Sequence, residues 1–186
     1  MTRLAFTRPM SGAVEDDRGG AALEFALLIP VLAVLYAVGF EVCEAAMVKR
    51  KLTDTTVELA NLTSQYTKVS KADIATIMNA SSQTMAPFPN ASLSMVVSEI
   101  SMDANNHPSV TWSEAYRNGV AFQGNPITTP PTAPASFQTP ISSYIVVQSS
   151  YAYTPVVAGG LMSPMTLTNT SFMLPRDSGS IPCTDC

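Results

Sequence analysis

The sequence predicts an α+β protein in which a long amino-terminal helix, transmembrane in its first half, and a short helix pack on an antiparallel sheet of about four strands. Three observations support this fold. An apolar run is long enough to cross a bilayer, an amphipathic helical pattern follows it, and several later segments alternate apolar and polar residues. With 186 residues, the chain can form one modest domain with an attachment, but not two large domains.

The apolar run extends from Ala21 to Phe40 and contains one charged residue, Glu24. As a helix, it would be about 30 Å long, which matches the hydrocarbon thickness of a bilayer. A cleaved secretory signal is a competing interpretation, but the run is long and no small-x-small site closes it. A buried core helix is the other alternative, and a chain of this size could hardly surround one on all sides.

The helix is expected to continue beyond the apolar run, because residues 41–69 contain neither proline nor glycine. Residues at steps of three and four form one stripe in this part: Val48, Leu52, Thr55, Leu59, Leu62 and Tyr66. The positions between them are polar: Lys51, Asp54, Glu58 and Asn61. This pattern predicts a helix that packs one side on a globular domain and turns the other to water. A free amphipathic helix lying on a bilayer is the weaker alternative.

A second, short helix is predicted just after residue 70. Ser70 and Asp73 have the spacing of a capping box, although Asp stands where Glu or Gln is usual. Ile74, Ile77 and Met78 would then share one face of the helix.

The remaining chain has the alternation of β-strands. Leu93 and Trp112 belong to two such segments, which a turn at residues 105–108 separates. Residues 114–140 contain five prolines from Pro126 onward, and we expect a long surface loop there. Two further strands are predicted in the segments SSYIVVQSSYAY and TLTNTSFML. Ile145, Val147, Ser149, Tyr151 and Tyr153 would lie on one face of the first.

The charge pattern excludes nucleic acid as a partner. The net charge is -4 and the ten Lys and Arg residues are scattered, so no basic face can be assembled. The single histidine, His107, precedes Pro108 in a polar turn and is expected in a loop, since a metal site needs several convergent ligands. The sequence has no nucleophile-elbow motif and no phosphate-binding glycine loop. We therefore predict no catalytic residues, no metal and no cofactor.

The three cysteines are Cys43 inside the apolar helix and the pair Cys183 and Cys186. For the pair, the preferred interpretation is a small structural disulfide in an oxidising compartment. A metal clip, a redox pair and a free flexible tail remain alternatives. Cys43 is interpreted as a small apolar residue.

The string RGGAALEFALLIPVL, followed by Glu41 and a basic helical extension, resembles the amino-terminal signature of TadE/TadG-like minor pilins. These proteins belong to the tight-adherence (Tad) branch of the type IV pilus and type II secretion machinery. The resemblance implies a pilin-like fold and cleavage between Gly19 and Gly20 by a prepilin peptidase. Glu24 then becomes the fifth residue and Phe25 the sixth, where the family pattern has an aromatic residue, commonly Tyr.

The resemblance also implies a role for Glu24. In type IV-like filaments the family's glutamate faces the new α-amine of a neighbouring subunit, and the attraction would fix the axial register between subunits. The alternative is an unpaired glutamate that only stabilises a helix amino terminus. Expected partners are the membrane, the peptidase, other pilins and the Tad assembly proteins.

The domain organisation follows from these patterns. We predict a cytoplasmic leader (1–19), an amino-terminal helix (20–69), a periplasmic α+β domain (70–176) and a tail with the cysteine pair (177–186). Positive charges before and after the apolar run are nearly balanced, so they do not fix the orientation. The resemblance places the leader in the cytoplasm and the protein in a bacterial inner membrane, with possible incorporation into an extracellular pilus. An uncleaved, single-pass envelope scaffold is the alternative function, and a membrane-tethered thiol oxidoreductase is a third.

Overall fold

The computed structural model describes residues 18–121, 127–140, 142–157, 159–177 and 179–186. The chain divides into two units, Met1–Ala37 and Val38–Cys186. The predicted α+β fold is confirmed: a long apolar amino-terminal helix, a short helix and an antiparallel sheet are all present. The sheet has five strands among the described residues, one more than the predicted four.

Helix α1 spans Arg18–Ser64, and its residues from Val38 onward belong to the second unit. The predicted stripe is buried at Val48, Leu52, Thr55 and Leu59. The predicted end at residue 69 was wrong, because the chain leaves the helix after Ser64 and Tyr66 is 39% exposed. The physical reason is the position of Val69, which pairs in parallel with Cys183 and therefore has to adopt an extended conformation.

Helix α2 spans Lys71–Ser82 and begins with the predicted capping box. The hydroxyl of Ser70 accepts a hydrogen bond from the backbone N–H of Asp73 at 3.3 Å, and the Asp73 carboxylate accepts one from the Ser70 N–H at 2.9 Å. Ile74, Ile77 and Met78 are buried, as their spacing predicted. The shorter Asp side chain therefore completes the box in place of Glu.

The five strands are β1 (Leu93–Met102), β2 (Pro108–Arg117), β3 (Val120–Ala121), β4 (Ser143–Tyr153) and β5 (Met165–Met173). Their order in the sheet is β3-β2-β1-β4-β5, and all neighbours are antiparallel.

Part of the segment predicted as a loop, residues 114–140, is strand. β2 continues to Arg117, and a tight turn at Asn118 and Gly119 leads into β3. Both turn residues have positive φ, 53° and 78°, which is the conformation that an Asn-Gly pair adopts readily. The prolines that indicated a loop lie only in the later part of the segment.

Both faces of the sheet are covered. Helices α1 and α2 pack on one face, where Met95, Trp112, Ile145 and Val147 are buried. The opposite face carries a smaller hydrophobic cluster. It consists of Ala133 from the proline-rich segment and four residues of the sheet, Ile100, Met102, Tyr144 and Val146. Phe137 contributes a ring 5.9 Å from that of Tyr144. The later part of the predicted surface loop is thus a cover for the second face of the sheet.

The predicted tail also belongs to the domain. We call residues 179–186 the strap. Ile181 in the strap is fully buried, and its carbonyl accepts a hydrogen bond from the Trp112 indole at 2.8 Å. Backbone hydrogen bonds join Val69 to Pro182 and Thr184. The free flexible tail, one of the alternatives for the cysteine pair, was wrong, because one buried isoleucine and a set of backbone hydrogen bonds hold this segment in the core.

A buried carboxylate connects the strap to the sheet. Glu99 in β1 is 1% exposed, and its Oε1 accepts hydrogen bonds from the backbone N–H of Ile181 at 2.7 Å and from the Ser143 hydroxyl at 3.0 Å. Among the described residues, its second oxygen has no hydrogen-bond partner. Burial raises the pKa of the Glu99 carboxyl, and the hydrogen bonds from Ile181, Ser143 and Trp112 oppose this only in part.

We expect Glu99→Gln to be at least as stable as the wild type at neutral pH, with an advantage that shrinks as the pH falls. A raised pKa means that the folded state binds the proton more tightly than the unfolded chain, so this group stabilises the fold at low pH and loses that contribution as the pH rises through its folded pKa. Gln keeps the acceptor oxygen and never ionises. Urea unfolding of the full chain in detergent, followed by the fluorescence of Trp112, measures the difference at about pH 4 and pH 7.

Asp54→Asn is the matched control, since Asp54 is an exposed carboxylate on α1. The raised pKa of Glu99 would be contradicted if the free energies of unfolding of Glu99→Gln and wild type differed by the same amount at both pH values.

Candidate functional site on the amino-terminal helix

The first unit exposes apolar surface all round the helix. Every residue from Gly20 to Tyr36 is exposed. Phe25, Leu27 and Leu35 are each more than 60% exposed. Burying one large apolar side chain contributes about 1.5–3 kcal/mol, so this surface requires a cover that the described residues of the unit do not supply. The helix is long and apolar enough to cross a membrane, and none of its most apolar stretch is buried.

The predicted processing residues lie in the first turn of α1. Gly19 and Gly20 are helical, and a Cβ added at Gly20 would meet no atom within 4 Å. Packing among the described residues therefore gives no reason for a glycine at position 20. Of the predicted leader, 1–19, only Arg18 and Gly19 lie inside the described residues.

The predicted assembly residues, Glu24 and Phe25, are both exposed on the same helix. Gly20 and Glu24 are four residues apart and thus share one helix face. For the Glu24 carboxylate, the described residues provide neither a hydrogen bond nor an ion pair. The site consequently presents a carboxylate, an aromatic ring and apolar side chains to whatever surrounds the helix.

The apolar run ends at a buried carboxylate. Glu41 is fully buried in the second unit, and its Oε2 accepts a hydrogen bond from the Tyr153 hydroxyl at 2.5 Å. Its Oε1 accepts a hydrogen bond from the backbone N–H of Val157, just beyond the end of β4. In the sequence, Glu41 is singled out only by the family resemblance. Two sequence features together could have indicated its role: a glutamate at the end of an apolar run, and a tyrosine at the end of a predicted strand.

Tyr153 has a second acidic neighbour. The Glu44 carboxylate lies 3.3 Å from its hydroxyl, one turn along α1 from Glu41. Burial raises the pKa of Tyr153 well above its usual value, and the hydrogen bond to Glu41 and the charge of Glu44 act in the same direction. The hydroxyl therefore stays protonated and acts as a donor between two carboxylates.

The second half of α1 lies along the sheet. Glu41 contacts Tyr153 at the end of β4, and the Thr56 hydroxyl contacts that of Ser149 in the same strand. Near the end of the helix, the backbone N–H of Arg176 donates to the Ser64 carbonyl at 3.0 Å. Contacts at both ends and in the middle thus hold this half of the helix to β4 and to the chain after β5.

Cys183 and Cys186 are joined in a disulfide, and Cys43 is a free, exposed cysteine. The disulfide joins two residues of the strap that are three positions apart. Between them, the Asp185 carboxylate accepts a hydrogen bond from the backbone N–H of Lys71, the first residue of α2, at 2.7 Å. One ligand atom each from Cys183, Asp185 and Cys186 lies within 4.8 Å of the others. In the disulfide, however, the two sulfurs are not the thiolates that bind metal ions.

Comparisons of this chain with protein-family models, with curated proteins and with solved structures gave no match. Its function is therefore inferred from residues and geometry. The exposed apolar helix and the buried junction at Glu41 are the two features that this inference has to explain.

Tyr153→Phe is expected to lower the free energy of unfolding by about 1–3 kcal/mol, because a buried carboxylate loses a hydrogen-bond donor. Urea unfolding of the full chain in detergent measures the change. Tyr144→Phe is the control, since Tyr144 is 1% exposed and, within the described part of the chain, its hydroxyl has no carboxylate partner. Equal losses in the two variants would show that the Glu41 junction does not stabilise the fold.

Proposed function

We propose that this chain is a non-enzymatic minor pilin or pseudopilin of the TadE/TadG type. A prepilin peptidase removes the leader after Gly19, and the apolar helix then enters a Tad-type pilus that is used in adherence. The observation that carries the proposal is the helix from Gly20 to Tyr36, which is exposed on every side. A bilayer covers such a surface before assembly, and the helices of neighbouring subunits cover it afterwards.

Glu24 supports assembly in addition to anchoring. A charged residue at the centre of a membrane helix costs about 2.5–3.5 kcal/mol on insertion scales, so a carboxylate is expected near an interface or beside a partner. Glu24 lies near the start of the apolar run. Cleavage would create a free α-amine at Gly20, and the same group on a neighbouring subunit would neutralise Glu24 in a low-dielectric surrounding.

The proposal also gives the folded domain a location. It is placed on the periplasmic side of a bacterial inner membrane, where an oxidising compartment suits the disulfide between Cys183 and Cys186. Glu41 and Tyr153 fix α1 to the sheet at the point where the apolar run ends. A subunit held in this way moves with its helix as a filament is built.

The alternative is an uncleaved, single-pass envelope protein whose exported domain binds another component. It needs only the apolar helix and the folded domain, and it gives no role to the pair Gly19 and Gly20. The mature amino terminus distinguishes the two functions.

Gly19→Trp is expected to keep the leader attached, because a bulky side chain at the cleavage position obstructs entry into the protease groove. Intact mass spectrometry of the membrane-fraction protein, from cells with and without the peptidase, measures processing. Wild type should lose its first nineteen residues only when the peptidase is present.

Gly39→Trp is the matched control, since Gly39 lies on the same helix and a Cβ added there meets no atom within 4 Å, as at Gly20. This variant should be processed normally. Normal processing of Gly19→Trp would refute the assigned site, and a wild-type protein that keeps Met1 beside an active peptidase would favour the uncleaved scaffold.

Glu24→Ala is expected to enter the membrane normally but to be recovered poorly in sheared pili when it competes with wild type. Removal of the carboxylate abolishes the attraction to the neighbouring amine, while the helix becomes more apolar. Quantification of the two forms in the membrane and pilus fractions measures incorporation. Glu58→Ala, which removes a carboxylate from the second half of α1, is the control. Equal recovery of the Glu24→Ala variant and wild type would count against pairing.

A further inference from the structure

A cavity of 330 Å³ lies between the second half of α1 and the segment that joins α2 to β1. Six residues line it: Met47, Arg50, Lys51, Asp54, Pro87 and Phe88. Three of these side chains are apolar and three are charged. The cavity is thus suited to an amphiphile, which has an apolar part and a charged group next to each other.

The charges at this cavity favour an anion. Arg50 and Lys51 contribute two positive charges, and Asp54 contributes one negative charge. Within the described part of the chain, the ion pairs join other residues, Lys71 to Glu114 and His107 to Asp103. The two cations therefore have no carboxylate partner there, and a bound anion would supply one.

The position of the cavity along α1 brings it close to a membrane surface. Arg50 is ten residues after Phe40, the last residue of the apolar run, which corresponds to about 15 Å along a helix. The Cα–Cβ bonds of a helix tilt toward its amino terminus, so the long side chains of Arg50 and Lys51 can extend back toward the apolar run. Lipid headgroups form a layer about 5–8 Å thick outside the hydrocarbon. With side chains about 6–7 Å long, the Arg50 guanidinium can come to about 8 Å from the hydrocarbon, at the outer edge of this layer, and the Lys51 ammonium to about 10 Å.

We propose that this cavity binds one anionic phospholipid of the membrane that α1 enters, with the phosphate at Arg50 and Lys51 and the apolar part against Met47 and Phe88. Its volume equals that of about ten water molecules, which holds a headgroup and the beginning of an acyl chain. The proposal rests on the membrane insertion in the proposed function. It depends neither on cleavage of the leader nor on filament assembly.

A lipid fits this cavity better than the side chain of a second subunit. The bilayer supplies a phosphate and an apolar chain on one molecule, close to the end of the apolar run. A carboxylate from another subunit would satisfy Arg50 and Lys51, but it would leave the apolar side chains of Met47 and Phe88 uncovered.

Native mass spectrometry of the full chain, purified from membranes in detergent, tests the proposal. The probes are dioleoylphosphatidylglycerol and dioleoylphosphatidylcholine at equal concentration. Wild type is expected to retain one molecule of the anionic lipid in preference to the zwitterionic lipid. The double variant Arg50→Gln/Lys51→Gln is expected to lose about five-fold in retention per cation removed. Met47→Gln should also retain less of the anionic lipid, because it makes the apolar side of the cavity polar.

The control is Lys68→Gln/Arg117→Gln, which removes the same charge from two exposed residues outside the cavity. It should retain the anionic lipid as wild type does, and unfolding followed by Trp112 fluorescence should show that all variants are folded. Equal retention of the two lipids by wild type, or equal losses in the two double variants, would overturn the proposal. Dimers that form without lipid and are lost in the Arg50→Gln/Lys51→Gln variant would overturn it as well and would assign the cavity to a second copy. Leader cleavage and recovery in pili are measured separately, so a failure here is distinguishable from a failure of the proposed function.

Discussion

The hydrogen bond between Tyr153 and Glu41 is the interaction on which the arrangement of the second unit depends. It buries a carboxylate at the residue where the apolar run ends, and it attaches α1 to the end of β4. A buried charge is costly unless it is hydrogen-bonded, and here both oxygens of Glu41 have donors. The chain can satisfy this carboxylate only when the helix and the sheet are in register. Glu41, the residue that follows the apolar run, thereby determines how the helix packs on the sheet.

The fold class and the helical elements could be predicted because their signals are local. An apolar run, a stripe at steps of three and four, and a capping box at Ser70 and Asp73 each depend on neighbours in the sequence. β3 could have been predicted from the Asn118-Gly119 pair, which is a strong hairpin signal, but the prolines that follow it suggested a loop. The proline content of residues 114–140 thus favoured a loop over the hairpin that the two-residue motif indicates.

The strap and the junction at Glu41 could not be predicted, because they depend on contacts between distant residues. Ile181 differs little from any other apolar residue near a polar ending, and its burial follows from the position of Trp112, 69 residues earlier. Glu99 has the parity of Leu93, Met95 and Val97 along β1, which places it among the core residues, but the alternation does not show which groups would satisfy a carboxylate there. Its burial requires the strap to lie across it. Glu24, by contrast, was identified from a motif, and its partner is expected on another subunit.

The strap also sets the order in which the domain can form. Glu99 and Ile181 are 82 residues apart, so the hydrogen bond between them cannot form until that length has been synthesised. At typical synthesis rates of about 5–20 residues per second, this takes about 4–16 s. During this interval the sheet is without its last cover, and the Trp112 indole lacks its carbonyl partner. The core around Trp112 and Glu99 therefore closes only after the residues of the strap have been added to the chain.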